Sequence, residues 1–269
     1  MHDLIHDLAQ SIAGEICFRI EGDKKISKQA RHLSYIANGC DGIKKFKGIW
    51  EAKHLRTFLP MRLSSDDGLR CLRVLSLKGY GIKVLLNFIR DLKHLRYLDF
   101  SNTYIKSLLE SISTLYNLET LLLKRCWDLV KLPSEMENLV NLCHLDITNV
   151  NRLEGMPSNF GTLTNLQTLS NFIVGKGKGY QIRELKDLSN LKGQLCISRL
   201  ENVTETKDAW TAKLLDKVGL NELELKWSRD FDNRTEVVEK KVLDLLQPSK
   251  MLKKLAIEGY YGATLAKWV

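Results

Sequence analysis

Between Leu72 and Leu163 the chain repeats one apolar pattern in four successive copies. The copies open at Leu72, Leu95, Leu118 and Leu142, in steps of 23, 23 and 24 residues. In the first copy the apolar positions are Leu72, Leu75, Leu77, Ile82, Leu85, Ile89 and Leu92. Each later copy fills the same places with Leu, Ile, Met or Phe. The opening L-x-x-L-x-L alternates apolar and polar at its end, which is strand periodicity. The rest of each copy spaces its apolar residues by three or four, as a helical or 3₁₀ turn does. One short strand and one return segment cannot enclose a core. Stacked copies can, because each strand pairs with the next and the apolar ridges fuse into a column.

These features are those of leucine-rich repeats. They predict an α/β fold, a leucine-rich repeat solenoid with a curved parallel sheet inside and short helices on the convex side. Cys126 and Thr103 occupy the place where such repeats bond neighbouring backbone turns, while Tyr80 and Val150 leave that ladder incomplete. Pro133 and Pro157 fix φ as the chain turns outward. Leu4, Leu8, Ile12 and Ile16 lie about one turn apart and predict a helix over residues 1–20. We therefore divide the chain into a helical piece at 1–30 and a repeat domain at 31–269. The domain reads as regular at 72–165 and irregular, with helical insertions, at 170–269. Strands are expected in the degenerate copies at 31–36 and 54–60, and around Leu195, Leu223 and Leu255. Asn171 stands where the fifth copy needs its last apolar residue, and Gly175–Gly179 predicts a mobile surface loop. Insertion helices are expected over Thr206–Lys217 and Thr235–Leu246, the second ended by Pro248. The chain stops at Trp268-Val269 directly after a repeat strand, and we expect it to be a piece of a longer protein.

The net charge of +9 is spread along the chain without a dense basic run, so a solvated surface is the expectation and nucleic acid is not. None of the 6 cysteines falls in a C-x-x-C pair, and no secretory leader or membrane-spanning apolar run is present in the sequence. Reduced structural cysteines and a cytoplasmic location follow. His2 and His6 are spaced for one helix face, but no third metal ligand accompanies them, so no metal is expected. No nucleophile motif occurs, and no catalytic residue is assigned.

The opening Met1-His2-Asp3-Leu4 resembles the Met-His-Asp motif of plant intracellular disease-resistance receptors of the coiled-coil nucleotide-binding leucine-rich repeat family. Arg31-His32-Leu33-Ser34 is similar to their first repeat strand. Phe172-Ile173-Val174-Gly175, Glu184 to Leu188, Leu195-Cys196-Ile197-Ser198 and Leu223 to Trp227 resemble blocks of the coiled-coil subclass. The resemblance implies that residues 1–30 are the end of the nucleotide-switch (winged-helix) module. It implies a role for His2 near the phosphates of ADP or ATP in the full-length protein. The phosphate loop G-x-x-x-x-G-K-[ST] is absent from the sequence, so no cofactor is expected on this chain itself.

The resemblance implies protein partners: the chain's own nucleotide-switch module, held off by the repeats, and a pathogen effector or a guarded host protein. Strand alternation places the candidate binding face at Val74, Ser76 and Lys78, then Tyr97, Asp99 and Ser101. It continues at Thr120, Leu122 and Lys124, and at His144, Asp146 and Thr148, with Gln194, Cys196, Ser198, Glu222, Glu224 and Lys226 beyond. Apolar anchors among polar neighbours suit a protein partner, and the resemblance implies that the partner serves a defense response. The alternatives are an ADP/ATP-binding switch protein, if an upstream module is present, or a leucine-rich repeat signalling scaffold.

Overall fold

The computed structural model describes residues 16–20, 27, 29–35, 54–59, 71–79, 81–83, 85, 87–177, 181–228 and 234–269. Eight strands form one parallel sheet in chain order. They are β1 (Cys17–Ile20), β2 (His32–Tyr35), β3 (Thr57–Leu59), β4 (Val74–Ser76), β5 (Tyr97–Asp99), β6 (Thr120–Leu122), β7 (His144–Asp146) and β8 (Thr168–Leu169). A second parallel sheet holds β9 (Asn171–Ile173), β10 (Gly193–Ser198), β11 (Leu220–Lys226) and β12 (Lys254–Glu258). Between the regular strands the chain returns through 3₁₀ turns at Asn87–Asp91, Glu110–Thr114, Met136–Asn138, Phe160–Thr162 and Ile182–Leu185. The molecule is the leucine-rich repeat solenoid that the period demands.

The register shows why. Leu33, Phe58, Leu75, Leu98, Leu121, Leu145 and Leu169 sit opposite one another on successive rungs. All are buried. The 3₁₀ turns add Ile89, Ile112, Met136 and Phe160 to the same core. The inner ladder is as partial as expected: the Cys126 thiol donates to the Phe100 carbonyl at 3.2 Å and meets Thr103 Oγ1 at 3.5 Å. Val150 is buried as apolar filler, and Tyr80 lies outside the described residues. A second ladder escaped the sequence reading. Asn117, Asn141, Asn165 and Asn190 each precede the first leucine of a rung. Their amides donate to the carbonyls of Lys93, Tyr116, Val140 and Thr164 at 2.7–2.8 Å, tying each rung to the one before it.

Three expectations are corrected. Cys17–Ile20 is a strand, not the end of a helix, and it pairs in parallel with His32–Tyr35. Helical spacing of apolar residues ends at Ile16, and Cys-Phe-Arg-Ile follows, whose aromatic and branched residues suit a pleated surface. The sheet therefore starts before residue 31, while residues 1–15 and His2 lie outside the described residues. The first insertion is not one helix to Lys217 but α1 (Thr206–Thr211) followed by a 3₁₀ turn at Leu214–Asp216. Gly175, expected in a mobile loop, is buried. The second insertion is α2 (Glu236–Leu245), as expected.

The fifth copy solves its Asn171 problem by inserting one residue. Leu169 points into the core, and the next residue to do so is Phe172, so Ser170 and Asn171 together occupy the place of one outward residue. The strand thereby changes partner: Leu169 faces Leu145, and Phe172 faces Ile197. On earlier rungs the amide after the strand donates to a backbone carbonyl, as Leu123 does to Asp146. At the bulge, Ile147 donates instead to Ser170 Oγ at 2.8 Å. Ser170→Ala leaves that amide without its acceptor. Thermal or urea melts should show a loss of about 1–3 kcal/mol; an unchanged midpoint would mean the bond is dispensable.

Lys217 is 1% exposed. Its Nζ donates to the Leu185 and Leu188 carbonyls at 2.7 and 3.0 Å, closing the end of the preceding turn. Burial, opposed by Asp216 and Asp187, pushes its pKa down to about 8 from 10.5. Below about 8 both folded and unfolded chains carry the proton, and the fold bears the full burial cost. Between 8 and 10.5 the unfolded chain holds the proton while the fold sheds it, so this residue's contribution to stability rises with pH. The urea midpoint of the native chain should rise relative to that of Lys217→Met between neutral pH and about pH 9.5; parallel curves would contradict this.

Candidate functional site

The concave face is set by the pleat. Residues on either side of the buried column turn outward, and parallel pairing lines them up from rung to rung. Val74, Tyr97, Thr120, His144 and Thr168 form one row, and Ser76, Asp99, Leu122 and Asp146 the next. Lys78, Ser101, Lys124 and Thr148 follow at the strand exits, where Asn102 donates to the Lys124 carbonyl and Arg125 to that of Thr148. Val74, Ser76, Tyr97, Thr120, Leu122, His144, Asp146 and Thr148 are half-buried, while Lys78 and Lys124 are exposed.

Three of the expected face residues are not available: Cys196 is buried under its neighbours, and Asp99 and Ser101 are held at the strand end. Asp99 is 4% and Ser101 5% exposed. The Asp99 carboxylate is drawn back onto the strand end, where it accepts from the Ser101 amide at 2.8 Å and from Ser76 Oγ at 3.3 Å. It is a turn-forming carboxylate, the habit that makes Asp common in such places. Asp146 accepts from the Thr148 amide at 2.9 Å in the same way but keeps more of its surface. His144 Nδ1 lies 2.9 Å from Thr168 Oγ1, which holds the imidazole across the face. Burial, and then the Asp99 charge, raise the pKa of the Tyr97 hydroxyl, so it stays a neutral donor.

Beyond the bulge the face turns ionic. Lys226 sits 3.0 Å from Glu224 and 3.4 Å from Glu258, and Lys254 3.1 Å from Glu222. Cys196 lies beneath them; burial and then Glu224 push its thiol up to about 12, so it is protonated and inert at neutral pH. Where the two sheets meet, a concavity of about 680 Å³ is lined by Leu122, Asp146, Ser170, Asn171, Cys196 and Lys226, among others. Sequence reasoning missed it, although Asn171 in an apolar place was its signal. Among the described residues no three His, Cys, Asp or Glu gather as a metal set. No described helix is long and apolar enough to cross a membrane. The face offers hydroxyls, paired charges and partly exposed apolar atoms, the materials of a protein interface.

Comparison with known proteins bears on what such a face serves. The family model for R13L1/DRL21 leucine-rich repeats matches residues 182–269. A disease resistance protein of Arabidopsis thaliana is 39% identical over 293 aligned residues, covering 100% of this chain and 20% of its own length. An RPP13-like disease resistance protein of the same plant is 37% identical, with 100% and 28% covered. Disease resistance protein RGA2 of Solanum bulbocastanum is 36% identical, with 100% and 26% covered. The chain thus spans between 20% and 28% of the length of these relatives. Among solved structures, the plant peptide hormone receptor RGFR1 in complex with RGF2 aligns with a TM-score of 0.44 and 19% identity, over 70% of this chain and 32% of that one.

Proposed function

Since the chain belongs to the plant disease-resistance protein family, as a leucine-rich repeat region of it, we propose that it is a non-catalytic protein-binding region of a cytoplasmic immune receptor. In that role its concave face engages either the receptor's own nucleotide-switch module or an incoming protein, a pathogen effector or a guarded host protein. Competition between the two contacts moves the receptor between off and on populations. The observation that carries this reading is the set of half-exposed apolar side chains in two neighbouring rows, Val74 and Tyr97 in one and Leu122 in the next, among polar groups on an ordered sheet face. Such anchors gain affinity on burial because the rigid scaffold has already been ordered.

A photo-crosslinking amino acid at Leu122, in the full-length receptor of pathogen-challenged tissue, tests it. Adducts to a polypeptide are expected from Leu122 and not from Val140, which is exposed between rungs on the outer path. Equal yields, or none, would contradict the reading. Equilibrium dialysis against labelled ADP checks the other half of the proposal. Binding by the 269-residue chain at about micromolar levels or tighter would make it a nucleotide switch in its own right.

A further inference from the structure

The residue that enters each strand is also repeated, and over four rungs it is arginine. Arg31, Arg56, Arg73 and Arg96 immediately precede the aligned residues His32, Thr57, Val74 and Tyr97. The backbone confirms the column: Arg56 donates to the Arg31 carbonyl, Arg73 to that of Arg56 and Arg96 to that of Arg73, at 2.7–2.8 Å. All four are exposed. Strand spacing puts neighbouring members roughly 4.8 Å apart, so the column runs for about 14 Å. The fifth member is Glu119, whose carboxylate takes the Arg96 guanidinium at 2.6 Å. Among the described residues no hydrogen bond or ion pair is made by the side chains of the other three. Three like charges at this spacing repel, and nothing in the packing of the core requires them.

We propose that this column is a docking strip for an acidic segment of a separate protein, whose carboxylates pair with Arg31, Arg56 and Arg73 as Glu119 already pairs with Arg96. Three considerations fix the partner. The guanidinium fork matches carboxylate geometry, and the column supplies its own example of that pairing. The strip is continuous with Val74 and Tyr97, so an acidic chain laid on it also covers half-exposed apolar surface. A nucleic acid would need a run of exposed stacking rings, and the aligned residues offer two: His32, whose Nδ1 lies 3.0 Å from Thr57 Oγ1, and the half-buried Tyr97. The inference rests on the protein-binding reading above and names the chemistry of one partner.

The test titrates the chain with a labelled polyglutamate peptide at low ionic strength. Saturable binding is expected, weakened at least about tenfold in R31Q/R56Q/R73Q and falling steeply with salt. Arg96 is already engaged, so R96Q should change the affinity less than about twofold. K186Q/K241Q removes two exposed positive charges away from the concave face, one after the 3₁₀ turn at Ile182–Leu185 and one on α2, and should do equally little. All these positions are exposed; should the triple variant still melt early, R56Q and R73Q alone must each weaken binding. An unchanged triple variant, or a K186Q/K241Q variant that falls as far, overturns the proposal. So does tighter binding of single-stranded RNA or inorganic polyphosphate of equal charge, which would make the strip a phosphate reader. A Leu122 adduct that survives alongside an unchanged triple variant would sink this inference alone; loss of the adduct would sink the reading beneath it.

Discussion

Glu239→Ala is expected to cost about 3–5 kcal/mol, because it strands a buried guanidinium. Arg234 and Glu239 side chains are 3% and 4% exposed, with Nε to Oε1 at 2.5 Å and Nη2 to Oε2 at 2.7 Å. Arg234 also donates to the Ser228 carbonyl, and to that of Gly259 at 2.6 Å, while Glu239 accepts the Tyr261 amide at 3.0 Å. One ion pair thus fastens the exit of β11, helix α2 and the exit of β12. The pairing raises the Arg234 pKa further, so the charge is permanent and its loss of partner cannot be relieved by deprotonation. Removing both charges, as R234M/E239L, should cost less than the single change. Trp227, edge-on to Tyr260 at 5.3 Å, reports the event. Its fluorescence in urea should shift at lower denaturant in E239A than the signal from Trp127, on the β6 rung. Coincident loss of only a few tenths would mean the pair is replaceable by water.

Phe172→Ala should be nearly as damaging, at about 3–5 kcal/mol. Phe172 is fully buried and meets Phe160 edge to face, ring centroids 6.1 Å apart, so it packs the last regular turn against the first rung of the second sheet. Strict alternation from Leu166 and Leu169 would have turned Asn171 inward and Phe172 to solvent, where alanine would be almost silent. Chemical denaturation of F172A therefore tests the bulge itself: a change below about 0.5 kcal/mol restores the simple register.

These two sites mark where sequence reading stops. The repeat was legible because Leu72 to Leu163 repeats with nearly constant period, and a parallel stack is the one arrangement that buries every copy. The strands at Leu195, Leu223 and Leu255 were legible for the same reason, each keeping its L-x-I or L-x-L core. The first rung was misread because an apolar spacing of four to Ile16 spoke for a helix, and only pairing with His32–Tyr35 reveals that the next residues extend the sheet. On the candidate face, alternation placed Tyr97, Leu122 and His144 in aligned rows on the concave side. It failed for Asp99 and Ser101, since which carboxylate folds back onto its own turn depends on local hydrogen bonds and not on period. The Arg234 clamp was out of reach: its partners lie 5 residues away at Glu239, and 25 at Gly259, across an irregular insertion. The arginine column was visible in the sequence all along, at a place the apolar pattern does not use.

Methyl–methyl NOE spectroscopy on selectively labelled leucines tests the stack most directly. Leu75, Leu98, Leu121 and Leu145 should show cross-peaks between nearest neighbours in that order, and none between Leu75 and Leu145, three rungs apart at roughly 14 Å. A Leu75–Leu145 contact, or silence between Leu98 and Leu121, would contradict the stacked rungs and with them the concave face and its arginine edge.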